Sequence, residues 1–120
     1  MKNRIRFISH KGHKILLVDC SDCSVEQLKE LIPLVPGRVT TEPRGTVLLL
    51  ADFTGSKFDK KLIDAIKPGL VFDRPYIKRS AWVGTESLPK VFYEHLKSFS
   101  QRELPTFKTQ EEALEWLVQD

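Results

Sequence analysis

The sequence predicts an α/β fold: a single five-stranded sheet with four helices, arranged as four consecutive βα units preceded by an N-terminal hairpin strand. Three observations lead there. Short apolar stretches of strand period give way to helical periodicity four times along the chain. The connections between these segments are short, which implies parallel strands joined by crossovers. Finally, 120 residues that are 41% apolar and 29% charged match one soluble domain, spanning 1–120, with enough length to bury a core without disulfides or structural metal.

The elements follow in order. Residues 4–8 alternate as Arg, Ile, Arg, Phe, Ile, a half-buried strand, and 15–18 form the solid run Ile-Leu-Leu-Val of a more buried one. Between them, Ser9 to His13 reads as a hairpin turn with Gly12 free to take positive φ, so strand two runs antiparallel to strand one. Ser24 then caps a helix with Gln27 at the capping-box position, and Val25, Leu28, Leu31, Ile32 and Val35 share one face. Pro33 bends this helix, and Pro36-Gly37 ends it.

A strand at 46–51 precedes a helix capped by Ser56, with Phe58, Leu62, Ile63 and Ile66 facing inward. Lys67-Pro68-Gly69 should interrupt that helix, leaving Leu70-Val71-Phe72 as a separate turn packed on the core. The strand at 77–83 leads through Gly84-Thr85-Glu86 to a helix with Leu88, Val91, Phe92, Leu96 and Phe99 on one side. A last strand, Leu104 to Lys108, meets a helix opened by the Thr109/Glu112 capping box and closed by Trp116 and Leu117. The last three strands are expected parallel to strand two.

Several local strings, in this order, resemble the SpoIIAA-like family, small STAS-related domains built as a βα superhelix. The resemblance is carried by Pro75-Tyr76-Ile77-Lys78-Arg79-Ser80-Ala81-Trp82-Val83-Gly84, by Arg102-Glu103, by Phe107-Lys108-Thr109, by Glu112 to Leu117, and upstream by Asp52-Phe53-Thr54-Gly55. It implies a binding or regulatory module that docks a partner protein, or a small apolar or anionic ligand, and no enzyme. Related anti-sigma-factor antagonists carry an Asp-Ser-Ser-Gly-type motif with a phosphorylated serine after the central strand. Here Gly55-Ser56-Lys57-Phe58-Asp59 stands in its place, which argues against switching by serine phosphorylation.

The sharpest chemical signal is Cys20-Ser21-Asp22-Cys23, a C-x-x-C between a strand and a helix, so the rival reading is a thiol-disulfide oxidoreductase with Cys20 as nucleophile and Cys23 as resolving thiol. Leu104-Pro105-Thr106-Phe107 is similar to the proline–threonine strand that faces the dithiol in thioredoxin. Against this, both cysteines precede the Ser24 cap, and Asp19 and Asp22 oppose thiolate formation, so an ordinary thiol pKa is expected at Cys20. His10-x-x-His13 cannot join the cysteines around zinc, because the intervening strand spans on the order of 20 Å. His95 reads as a half-buried packing residue beside the apolar stripe of its helix.

With that zinc site set aside no metal is expected, and no cofactor either, since the six glycines are isolated and build no phosphate loop. A net charge of +3, spread along the chain, gives no case for nucleic acid. The longest apolar run, Val47 to Ala51, is too short to span a membrane, and the alternating N-terminus is unlike a secretory signal, which places the chain in the cytoplasm. A homodimer through an exposed strand or helix face fits this reading.

In parallel sheets, partners and ligands use the loops at the carboxyl ends of the strands. That rule gathers Asp19, Cys20, Asp22 and Cys23 after strand two, Asp52, Phe53, Thr54 and Ser56 after strand three, and Gly84, Thr85 and Glu86 after strand four as candidate binding residues.

Overall fold

In the computed structural model, which describes residues 2–119, β1 (Ile5–His10) and β2 (His13–Asp19) form an antiparallel hairpin. The turn is tighter than the sequence suggests. Only Lys11 and Gly12 leave the ladder, with φ of 50° and 80°, the two left-handed positions of a type I′ connection. β3 (Val47–Asp52), β4 (Ile77–Val83) and β5 (Thr106–Phe107) then add in sequence order, each parallel to the one before, giving the sheet order β1-β2-β3-β4-β5.

Because successive strand residues face opposite sides, the sheet feeds two cores. Leu16, Val18, Leu49, Ala51 and Trp82 point to one face and meet the helices that cross between strands: α1 (Val25–Leu31), α2 (Val35–Val39), α3 (Lys60–Asp73) and α4 (Lys90–Ser100). Ile15, Leu17, Leu48, Leu50, Ala81 and Val83 point to the other and meet α5 (Gln110–Leu117) through Ala113 and Leu117. A 3-10 turn at Ile32–Leu34 joins α1 and α2 into one bent helix, so the sheet carries four helices, as expected. Ser24 caps α1 in a complete capping box, accepting from Gln27 N at 3.2 Å while Gln27 Oε1 accepts from Ser24 N at 2.8 Å.

Local departures from the sequence reading have physical causes. Pro33 bends the first helix as expected, but Pro36-Gly37 does not end it, because Pro36 falls in the first turn of α2, where no intrahelical N–H is needed. The cap of α3 is Asp59, whose carboxylate accepts from Leu62 N at 2.7 Å; Ser56 lies upstream and Phe58 packs on the core from the loop. α3 also runs unbroken through Pro68. Both Pro68 and Asp64, whose carbonyl loses a donor to the proline, face solvent, where water can supply one. In consequence Val71 and Phe72 are carried outward rather than into the core, and only Leu70 of that trio packs inward.

On α4 the inward set is Phe92, Tyr93 and Leu96, with Leu88 reaching the core from the preceding loop; Val91 and Phe99 are exposed, as is His95. The expected strand from Leu104 to Lys108 pairs only at Thr106 and Phe107, while buried Leu104 leads into it.

Candidate functional site

The register that builds the sheet also brings three loops together. Asp19 lies opposite Asp52, and Asp52 opposite Val83, so the loops after β2, β3 and β4 leave the sheet at one level. The ladder then continues past the strand ends: Cys20 N donates to Asp52 O, Asp22 N to Thr54 O, and Phe53 N to Val83 O, each at 2.8 Å, and Lys57 N donates to Cys23 O at 3.0 Å.

Two of the loops open on the same local device. Asp19 Oδ1 accepts from Ser21 N at 3.0 Å and from Ser21 Oγ at 2.6 Å. Asp52 Oδ1 accepts from Thr54 N at 2.9 Å and from Thr54 Oγ1 at 2.7 Å. These Asp-x-Ser/Thr turns satisfy loop amides that have left the ladder. Each is anchored further. Arg4 donates to Asp19 O at 3.1 Å and Ser21 O at 2.8 Å, and Gln110 Nε2 donates to Asp52 Oδ2 at 2.7 Å.

Third in the row, Gly84 has φ of 71° and packs against the Thr54 backbone so closely that a Cβ would lie 2.5 Å from Thr54 N. Gly55, also left-handed at 73°, approaches Asp22, itself at 55°.

All three predicted clusters therefore meet, but their members divide by accessibility. Cys20, Cys23, Asp52, Phe53, Ser56 and Gly84 are buried and hold the loops in shape. Asp22, Thr54 and Glu86 are exposed, and Asp19 and Thr85 are half-exposed. Ser56, expected as a helix cap, instead donates its hydroxyl to Phe53 O at 2.6 Å. Below the loops Phe53 packs on Phe58 and Trp82, with ring centroids 5.4 Å and 5.0 Å away.

A family model described as SpoIIAA-like matches residues 20–118, which includes every one of these loops except the Asp19 end of β2. The chain belongs to the SpoIIAA-like family. No curated protein and no solved structure gives a significant match. As a SpoIIAA-like, STAS-related domain, the chain is in general a binding or regulatory module, and the five-stranded mixed sheet is the fold this membership entails.

In this SpoIIAA-like domain the two thiols do not support redox chemistry. Both are free and at most 1% exposed. Burial pushes the Cys20 thiol far above its ordinary range, aided by Cys23 and Asp19 and opposed by Arg4; Cys23 is raised by burial too, against the pull of Arg4. The ordinary pKa expected at Cys20 is thus corrected upward, since the sequence shows the neighbouring carboxylates but not the depth of the sulfur. A nucleophilic sulfur needs the opposite environment.

Arg4 and Gln110 were not among the predicted residues. Arg4 reads as the outward member of an alternating strand, and nothing local marks Gln110 as a partner for a residue at position 52. No helix among the described residues is long and apolar enough to cross a membrane.

Proposed function

We propose that this SpoIIAA-like domain, spanning 1–120, is a non-enzymatic docking module that presents the loops after β2, β3 and β4 to a partner protein. The observation that supports this reading is the division of labour in the loop row. Backbone hydrogen bonds and buried side chains fix the loops, leaving Asp22, Thr54 and Glu86 exposed on a preformed surface. Such a surface loses little conformational freedom on binding, which favours affinity. Two free, buried thiols accord with a cytoplasmic setting.

Affinity purification of the tagged protein from its native cell, read by mass spectrometry, tests the proposal. A partner protein should be captured in near-stoichiometric amount by wild type and by Lys78→Ala, which lies in β4 near its opposite end. Capture should be lost with the double variant Thr54→Arg/Glu86→Arg. Equal capture by all three proteins, or turnover of a substrate by the isolated chain, would count against it.

A further inference from the structure

Behind the loop row, between the sheet and α2 and α3, lies a cavity of about 70 Å³. Its walls are apolar, with Val18, Leu49 and Trp82 contributed by the sheet and Val35, Ile66 and Leu70 by the helices. Two charged residues interrupt them: Asp73, the last residue of α3, and Arg102, only 5% and 8% exposed.

These two do not satisfy each other. Arg102 donates to Leu70 O and to Ser80 Oγ, both at 3.2 Å, and Asp73 Oδ1 is buried with no hydrogen-bond partner. A guanidinium has five N–H donors, so donors remain near an unsatisfied acceptor. Leaving a buried acceptor unmet opposes folding, the more so when it is charged. The fold does not ask for an acid here, because the end of α3 is closed by Arg74 N donating to Val71 O. An apolar residue at 73 would complete the core more cheaply.

The cavity also has an outward extension. A second apolar hollow of about 330 Å³ lies between α1 and α3 and shares Ile32, Pro36, Ile66 and Gly69 with the first. A side chain at Gly69 would project into open space.

We propose that the two hollows form one cleft for a neutral amphiphile, an aliphatic alcohol whose hydroxyl lies between Asp73 and Arg102 and whose chain follows the α1–α3 groove. A hydroxyl both donates and accepts, so it answers the free oxygen of Asp73 and a spare N–H of Arg102 at once. A carboxylate would pair with Arg102 but bring a like charge beside Asp73; a bare hydrocarbon would leave Asp73 unmet. Size agrees. An apolar cavity of about 150 Å³ holds benzene, so the inner hollow takes the hydroxyl and the first few carbons, with the rest in the outer one. This inference rests on the binding-module reading and names a ligand for it; the cleft lies below the docking loops, so failure here with partner capture intact strikes the cleft alone.

Trp82 lines the inner hollow and supplies the readout. In a Trp116→Phe background it is the sole tryptophan, and its emission is followed during titration of the full chain at pH 7 with 1-octanol and with octanoate. Octanol should give a saturable change, and octanoate should bind roughly tenfold or more weakly, a difference of about 1.4 kcal/mol. Asp73→Asn, checked for folding by circular dichroism, should erase most of that preference by improving octanoate. Gly69→Leu, which favours helix and fills the outer hollow, should weaken octanol without restoring octanoate. No saturable response to octanol, equal binding of octanoate, or an unchanged preference in folded Asp73→Asn would overturn the proposal.

Discussion

Gln110 Nε2 donates to Asp52 Oδ2 at 2.7 Å, while Oδ1 of the same carboxylate holds the amide and hydroxyl of Thr54. One buried side chain thereby joins the end of β3, the loop that follows it and the first turn of α5. The sheet lies between α5 and the other helices, so Asp52 ties the loop row to the opposite layer. Asp52→Ala leaves three donors unmet and should lower unfolding free energy by about 2–4 kcal/mol, against about 1 kcal/mol for Gln110→Ala. Urea unfolding of the two variants checks the order; equal midpoints would contradict the anchoring role.

Gly84 and Gly55 look alike in sequence and in φ, but they differ in what surrounds them. A Cβ at Gly84 would meet Thr54 N at 2.5 Å and Thr54 Cα at 2.6 Å, backbone atoms that move only with the loop. At Gly55 the nearest atom is Asp22 Oδ1, at 2.2 Å, the tip of an exposed side chain. Gly84→Ala should therefore destabilise by roughly 2 kcal/mol or more, combining left-handed strain with the clash, and Gly55→Ala by about 1 kcal/mol. Thermal melts should rank them in that order.

Asp73 gives stability a pH dependence of definite sign. Burial pushes its carboxyl up to about 6, with the charge of Arg102 acting in the opposite direction. Its unfolded pKa is near 3.9, so between about pH 4 and pH 6 the native state holds the extra proton and the Asp73 contribution to stability falls as pH rises. Relative to wild type, Asp73→Asn should gain about 2–3 kcal/mol in unfolding free energy from pH 4 to pH 7, whatever its offset at pH 4. A difference that stays flat across this window would contradict the assignment.

The burial of Cys20 and Cys23 has a direct chemical consequence. Thiols that are inaccessible and held protonated should resist iodoacetamide in the native protein at pH 8 and react fully in denaturant. Intact-mass analysis should show no adduct on the native chain over a time that labels the unfolded chain twice. Rapid native labelling, abolished by Cys20→Ser, would revive the oxidoreductase reading.

The sheet was legible because each strand carries its own period: Ile15 to Val18 and Val47 to Ala51 are solidly apolar, and both lie in parallel strands covered on two faces. Capping was legible where the cap adjoined a clear helical pattern, as at Ser24, and misplaced by three residues at Ser56, since Asp59 offers an equally good oxygen. α3 runs past the break that Pro68 and Gly69 signal, because Pro and Gly end a helix only where tertiary packing does not override them. Convergence of the three loops followed from strand order alone. Their anchors did not, because the pairs Arg4 with Ser21 and Gln110 with Asp52 join residues 17 and 58 positions apart. The cleft was invisible for the same reason: Asp73 ends a helix and Arg102 precedes a strand, and only the fold brings both to one cavity.

Docking through the loop row is tested most directly by amide hydrogen exchange on the captured complex against the free chain. Binding at the proposed surface should slow exchange in peptides covering residues 19–23, 52–57 and 84–86, leaving the β1–β2 turn at Lys11 and Gly12 unchanged. Protection confined to the β1 edge or to the exposed faces of α3 and α4, with the three loops exchanging as in the free chain, would contradict it.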